Sequence, residues 1–211
     1  MIAARDLEAT VARLRTELGL GEPFNDPAVG YFGLRNAVFA LGDTFLEVVS
    51  PVRSDAAAAR LLGRRGGDCG YMVMVQIDDL GGARRRAEAL GVRTVFEVSL
   101  PDIGEVHLHP ADLRGAIMSL SEPNPAESWR WGGPDWEQRA VPDMRLAGVT
   151  ISVDDPEQVG SRWREIIGGD PHGLRFTADL NEPGLVEIAL AAGDGPRAPL
   201  EIGGVRLAFS R

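Results

Sequence analysis

The sequence predicts an α+β fold of tandem βαβββ modules. Two modules pair into a curled-sheet cup over 1–123, a Trp-, Pro- and Gly-rich linker covers 124–145, and a third βαβββ-like module follows over 146–211. Three observations predict it. Segments starting at Ile2, Tyr71 and Leu146 share one pattern: a short strand, an aspartate, then an amphipathic helix ending at Gly19, Gly91 or Gly168. Further short strands follow each helix, so the unit recurs about every 70 residues, and a repeat of that size has to be recognised before any fold is assigned. The strands also alternate an apolar face with a mixed one, as strands do when helices cover only one side of their sheet.

In the first module, Asp6 stands where an N-cap belongs and Gly19 where a left-handed C-terminal cap belongs. Strands are expected over 34–41 and 44–50, joined by a tight turn at Gly42-Asp43. Leu46 and Val48 then face the helix, and Phe45, Glu47 and Val49 face away. The opening strand, 1–4, is short for the pattern, which fits a start lying further upstream.

In the second module Asp79 and Gly91 are the matching caps, and strands are expected over 94–99, 105–108 and 116–121. His109-Pro110 and Leu113-Arg114-Gly115 punctuate the last two, which suits a hairpin with a longer loop. Val73, Val75 and Ile77 face the helix, leaving Met72, Met74 and Gln76 on the other side. Met118 and Leu120 likewise face the helix, opposite Ile117, Ser119 and Ser121. A concave, mostly apolar face with a few polar groups suits a small molecule. Glu97 and Glu105 read as exposed strand ends, with paired-carboxylate acid–base work as the alternative. Arg84-Arg85-Arg86 reads as a solvated helix face. In the third module Asp155 and Gly168 are the caps, strands are expected over 175–178, 185–191 and 205–210, and His172 falls in a loop. Trp129, Trp131 and Trp136 in the linker are expected to pack the third module on or to lid the cup.

Composition removes several chemistries. A net charge of −9 argues against nucleic acid. No apolar run is long enough to span a membrane, and no signal-peptide pattern opens the chain. Cys69 is the lone cysteine, so an internal disulfide and a thiolate metal cluster are excluded. A reducing cytoplasmic setting is expected. All 22 basic residues are arginine, which removes Schiff-base, pyridoxal-phosphate and P-loop lysines together. Neither a nucleophile-elbow nor a dinucleotide-binding glycine pattern is present. The unpaired third module leaves a sheet face or edge to cover, which predicts a homodimer.

The repeat, the D-L-E-A helix start and the run LHPADLRGAIMSL at 108–120 together resemble the vicinal oxygen chelate superfamily. This is the glyoxalase, bleomycin-resistance and extradiol-dioxygenase group, and the hairpin is most similar to that of methylmalonyl-CoA epimerases. The resemblance implies a glyoxalase-like cup with a divalent metal at its base, held by a first-strand His and a last-strand Glu from each module. Two imidazoles and two carboxylates leave positions open for two substrate oxygens. Carried over, Glu47 matches one carboxylate. Met72 stands in place of the second His, Ser119 in place of the second Glu, and the first His would fall about two residues before Met1. In the third module the first-strand place lies near Gly148. One ligand of four remains, and a single carboxylate does not make a tight metal site.

Two functional expectations follow. The first is a bleomycin-resistance-like binder of a small, partly apolar molecule, lined by Phe45, Glu47, Val49, Met72, Met74, Gln76, Ile117 and Ser119, with no cofactor. The second is a metal-dependent lyase or isomerase, glyoxalase- or epimerase-like, with Glu47, His107 and His109 as the metal set. For both histidines the ordinary alternative is structural: His109 bonding the turn before Pro110, and His107 partly exposed.

Overall fold

A computed structural model describes residues 1–179, 183–193 and 197–210. The chain opens with β1 (Ile2–Ala3), α1 (Leu7–Leu18), β2 (Leu34–Leu41), β3 (Thr44–Pro51), α2 (Ala57–Arg65) and β4 (Cys69–Gly70). The second module follows as β5 (Met72–Gln76), α3 (Leu80–Ala89), β6 (Thr94–Leu100), β7 (Ile103–Leu108), α4 (Pro110–Leu113) and β8 (Ile117–Pro123). Beyond it come α5 (Trp136–Arg139), β9 (Met144–Ser152), α6 (Pro156–Ile167), β10 (Leu174–Thr177), β11 (Gly184–Ala192), β12 (Leu200–Ile202) and β13 (Val205–Ser210). No helix among the described residues is long and apolar enough to cross a membrane.

Three sheets form, in the orders β2-β3-β1-β4, β5-β8-β7-β6 and β10-β9-β11-β13-β12. The first two share one logic. β1 lies parallel to β3, the last of the three strands expected there, and β5 lies parallel to β8. Each helix therefore carries the chain away so that a hairpin can return beside the opening strand. β9 differs: it pairs in parallel with β10, the strand directly after α6. The third segment keeps the strand–helix start of the repeat but not its closing pairing.

The chain separates into two compact units: Met1–Tyr71 with Trp131–Gly148 and Glu187–Arg211, and Met72–Arg130 with Val149–Val186. Residues 146–211, expected as one module, are thus divided between units, and β9 and β11 each contribute to both. In the first unit Asp6 caps α1 by accepting from Ala9 N at 2.9 Å, and Gly19 ends it in the left-handed region. α1 packs on β2 and β3, where Leu46, Val48 and Leu14 are fully buried. The β12–β13 turn needs glycine for a spatial reason. A Cβ on Gly204 would stand 1.8 Å from the Asp68 carbonyl oxygen, and one on Gly203 would stand 2.6 Å from Ile2 Cγ2.

In the second unit Asp79 caps α3 through Gly82 N at 2.7 Å, and Asp155 caps α6 through Gln158 N at 3.0 Å. The core joins Ala83 and Ala87 of α3, Val106 and Leu108 of β7, Met118 and Leu120 of β8, and Val159, Trp163 and Ile166 of α6. Burying each large apolar side chain contributes about 1.5–3 kcal/mol. The arginine run is not simply a solvated face. Arg86 donates from Nε to Ile166 O at 3.0 Å and from Nη2 to Ile167 O at 3.2 Å, satisfying carbonyls that α6 leaves open at its C-terminus. Arg84 pairs with Glu97 at 2.6 Å.

Candidate functional site

The side of each module sheet that turns away from its helix carries buried polar groups. On β3 the Glu47 carboxylate is 8% exposed and accepts from Asn36 Nδ2 at 2.8 Å. Glu47 stands opposite Val38 of β2, and Asn36 lies two residues before that partner, so the bond is a diagonal one across an antiparallel pair. Near it, burial pushes the Tyr71 phenol up to about 12; Arg60 opposes the shift and Glu47 adds to it. Val49 is fully buried. Phe45 is half-buried and meets Trp136 edge-on at 5.1 Å between ring centroids, so this tryptophan packs against β3 within the first unit.

The second unit repeats the diagonal with the roles exchanged. Ser119 of β8 stands opposite His107 of β7, and Glu105 lies two residues before that partner. Ser119 Oγ donates to Glu105 Oε1 at 2.7 Å, and His107 Nε2 meets the same oxygen at 2.5 Å. In module one the last strand carries the carboxylate and the middle strand the neutral donor. In module two the last strand carries the donor and the middle strand the carboxylate. Glu105, expected as an exposed strand end, is 4% exposed, and Ser119 is fully buried. His107, expected partly exposed, is buried and lies against the Phe96 ring at 4.8 Å. The signal for this cluster was available as the two-residue spacing of Glu105, His107 and, across the hairpin, Ser119. The exact register between β7 and β8, interrupted by α4, was not.

The remaining expected lining residues of this unit share the face. Met72 pairs with Ile117 and Met74 with Ser119 along β5 and β8. Gln76 is exposed, and its Nε2 donates to Ala126 O at 2.7 Å. A surface cavity of about 680 Å3 lies at the end of this sheet, between Gln76, Ile103 and Pro123 and the first turn of α3. Of the eight expected lining residues it includes Gln76 alone.

Within the second unit, the two histidines of the expected metal set serve different partners, His107 meeting Glu105. His109 lies beyond the end of β7, where strand alternation no longer governs it. Its Nδ1 accepts from Ala111 N at 3.1 Å and caps α4. Among the described residues no group of three or more His, Cys, Asp and Glu side chains is placed to hold a metal ion. The donor chemistry agrees: at the positions the superfamily uses, Met72 offers a thioether, a poor ligand for a hard divalent ion, and Ser119 offers a hydroxyl already donated to Glu105. These residues do not fit the His/Glu set.

Among solved structures, the chain is similar to methylmalonyl-CoA epimerase from Mycobacterium tuberculosis, at 24% identity over 58% of this chain and 83% of that one, with a TM-score of 0.50. A Streptomyces coelicolor methylmalonyl-CoA epimerase variant in complex with 2-nitronate-propionyl-CoA matches at 24% identity over 61% and 94%, with a TM-score of 0.52. A methylmalonyl-CoA epimerase in complex with methylmalonyl-CoA and ammonium matches at 25% over 61% and 94%, with a TM-score of 0.50. No curated protein matches the sequence. The family model described as a glyoxalase-like domain matches residues 1–167. The chain belongs to the glyoxalase-like domain family, within the vicinal oxygen chelate superfamily.

Proposed function

We propose that this protein binds a small, partly apolar molecule on the helix-free face of its second module, without the four-ligand metal site of its superfamily. The observation that carries this reading is the content of the superfamily's ligand positions on β5 and β8. Met72 and Ser119 occupy them, Met74 and Ile117 flank them, and the Ser119 hydroxyl is committed to Glu105. Such a surface supplies contact area and a few fixed polar groups, the usual make-up of a small-molecule site. Native mass spectrometry of the purified chain tests it. The expected result is a bound small molecule, displaced in Met74→Trp and Ile117→Trp. A chain that carries nothing and gains no mass with any partly apolar probe would sink the reading.

A second reading has one observation in its favour. Glu47 is a buried carboxylate at a superfamily ligand position, in a chain similar to an epimerase solved with methylmalonyl-CoA. In that case the protein is a metal-dependent isomerase or lyase using Glu47. Elemental analysis separates the two: a stoichiometric divalent metal lost in Glu47→Ala favours the enzyme. The proposed assembly is a homodimer, and light scattering giving a monomer mass at micromolar concentration would refute it.

A further inference from the structure

The polar cluster of the second module is incomplete on one side. Both hydrogen bonds to Glu105 land on Oε1. No donor among the described residues is placed on Oε2. Directly opposite Glu105 in the sheet stands Ser121, fully buried, and its Oγ has no hydrogen-bond partner among the described residues. A buried hydroxyl left unpaired costs about 1–3 kcal/mol, and such groups are rare enough to need a cause. The fold does not require a polar residue there. The matching place in the first module, opposite Asn36, is Val49, which needs no partner. Gln76, the neighbour of Ser121 on β5, turns its amide nitrogen to Ala126 O instead.

We infer that Glu105 Oε2 and Ser121 Oγ form a two-point subsite for a hydrogen-bond-donating group of the ligand, above all an ammonium, carried on an apolar body. This rests on the reading that the second module's face is a small-molecule site. Oε2 only accepts when the carboxylate is ionised, whereas the hydroxyl both accepts and donates. An N–H or O–H group therefore satisfies both. An ammonium adds a charge-assisted bond to Glu105, and a carboxylate on the ligand meets like-charge repulsion there. Val98, paired with Glu105 on β6, and Met74, paired with Ser119, supply apolar surface beside the subsite.

Three probes of one size and one apolar body test this on the full chain: 2-phenylethylamine, 2-phenylethanol and phenylacetate. Binding is read from the amide resonances of Glu105 and Ser121 in a nitrogen-15 spectrum. The expected result is shifts at both residues, with the amine binding at least about tenfold more tightly than the acid. Glu105→Gln, which keeps an oxygen acceptor for Ser119, should bring amine and acid to within about threefold. Ser121→Ala should weaken the amine and the alcohol alike. Equal affinity for amine and acid overturns the inference, as does a folded Glu105→Gln that keeps the preference. If all three probes bind equally and Met74→Trp abolishes them, this subsite fails while the face remains a small-molecule site. If no probe moves either resonance and a crystal structure shows only a water between Glu105 and Ser121, the subsite fails as well.

Discussion

The last strands of the first two modules, β3 and β8, occupy the same place in the same topology and yet carry different chemistry. Each runs parallel to the opening strand of its own module and beside the middle strand of a hairpin. On the helix side they are alike in burial: Leu46 and Val48, like Met118 and Leu120, are fully buried. On the other side the diagonal hydrogen bond is kept, but the carboxylate has moved from the last strand (Glu47) to the middle one (Glu105). The helix face sets the topology, because burial there is obligatory. The opposite face keeps a geometry while its residue types change, and the chemistry of the family is free to vary there.

The comparison breaks most visibly on the helix side. Leu46→Ala and Leu120→Ala should each destabilise the chain by about 2–5 kcal/mol, since both remove methyl groups from fully packed positions. Urea unfolding followed by circular dichroism measures this. A loss below about 1 kcal/mol in one of them would mean that the modules are not equivalent on this side.

The exchanged diagonal can be exchanged back. Ser119→Glu alone places a second carboxylate against Glu105 and should cost about 2–3 kcal/mol, because two close carboxylates cannot both stay ionised cheaply. Adding Glu105→Asn rebuilds the Asn36–Glu47 arrangement of the first module. The double variant should then be more stable than the sum of the singles by about 1 kcal/mol or more, a coupling that a thermodynamic cycle reads directly. Additive effects would show that the two diagonals are alike only by coincidence. A milder version replaces Ser121 by the residue at the matching place of the first module. Ser121→Val removes an unpaired buried hydroxyl and should be neutral or stabilising by up to about 1 kcal/mol in the absence of ligand. A clear destabilisation would mean that this hydroxyl has a structural partner.

Much of this architecture is legible in the residues. Asp6, Asp79 and Asp155 mark helix starts, and each does accept from a first-turn amide. The alternation in Phe45–Val49 and Ile117–Ser121 places the right residues in the core. Where the sequence fell short, non-local forces decided. The parallel pairing of β9 with β10 depends on which strand fills a sheet, and nothing local to residues 146–178 states it. α2 has no side chain bonded at its N-cap, Ala56, so the signal that announces α1, α3 and α6 is missing. Glu105 reads as exposed in the sequence because it opens an expected strand at 105–108, whereas β7 begins at Ile103 and carries Glu105 into the sheet interior. A shift of two residues at a strand boundary changed a solvent group into the centre of the candidate site.

The smallest effect tests where the two hairpins differ. The first module turns at Gly42, with φ of +56°, between β2 and β3. The second passes through α4, and Asp112 on that helix ties it back to the residue before β6. Its carboxylate accepts from Arg93 N at 3.1 Å and from Arg93 Nε and Nη2 at 2.8 Å each. The Arg93 guanidinium beside it holds the Asp112 carboxyl well below the usual carboxylate range. A depressed value in the folded chain means that the pair contributes above the ordinary aspartate range, near pH 4. The contribution fades as acid approaches and passes the folded value. Because the pair lies at the surface, solvent and salt screen it. The urea midpoint of Asp112→Asn should therefore fall slightly below that of the parent at neutral pH. The gap should narrow as the pH drops below about 4 and shrink again in high salt. A gap that instead widens toward acid would mean that Asp112 is stabilised when protonated, and α4 would then be held by its His109 cap rather than by this ion pair.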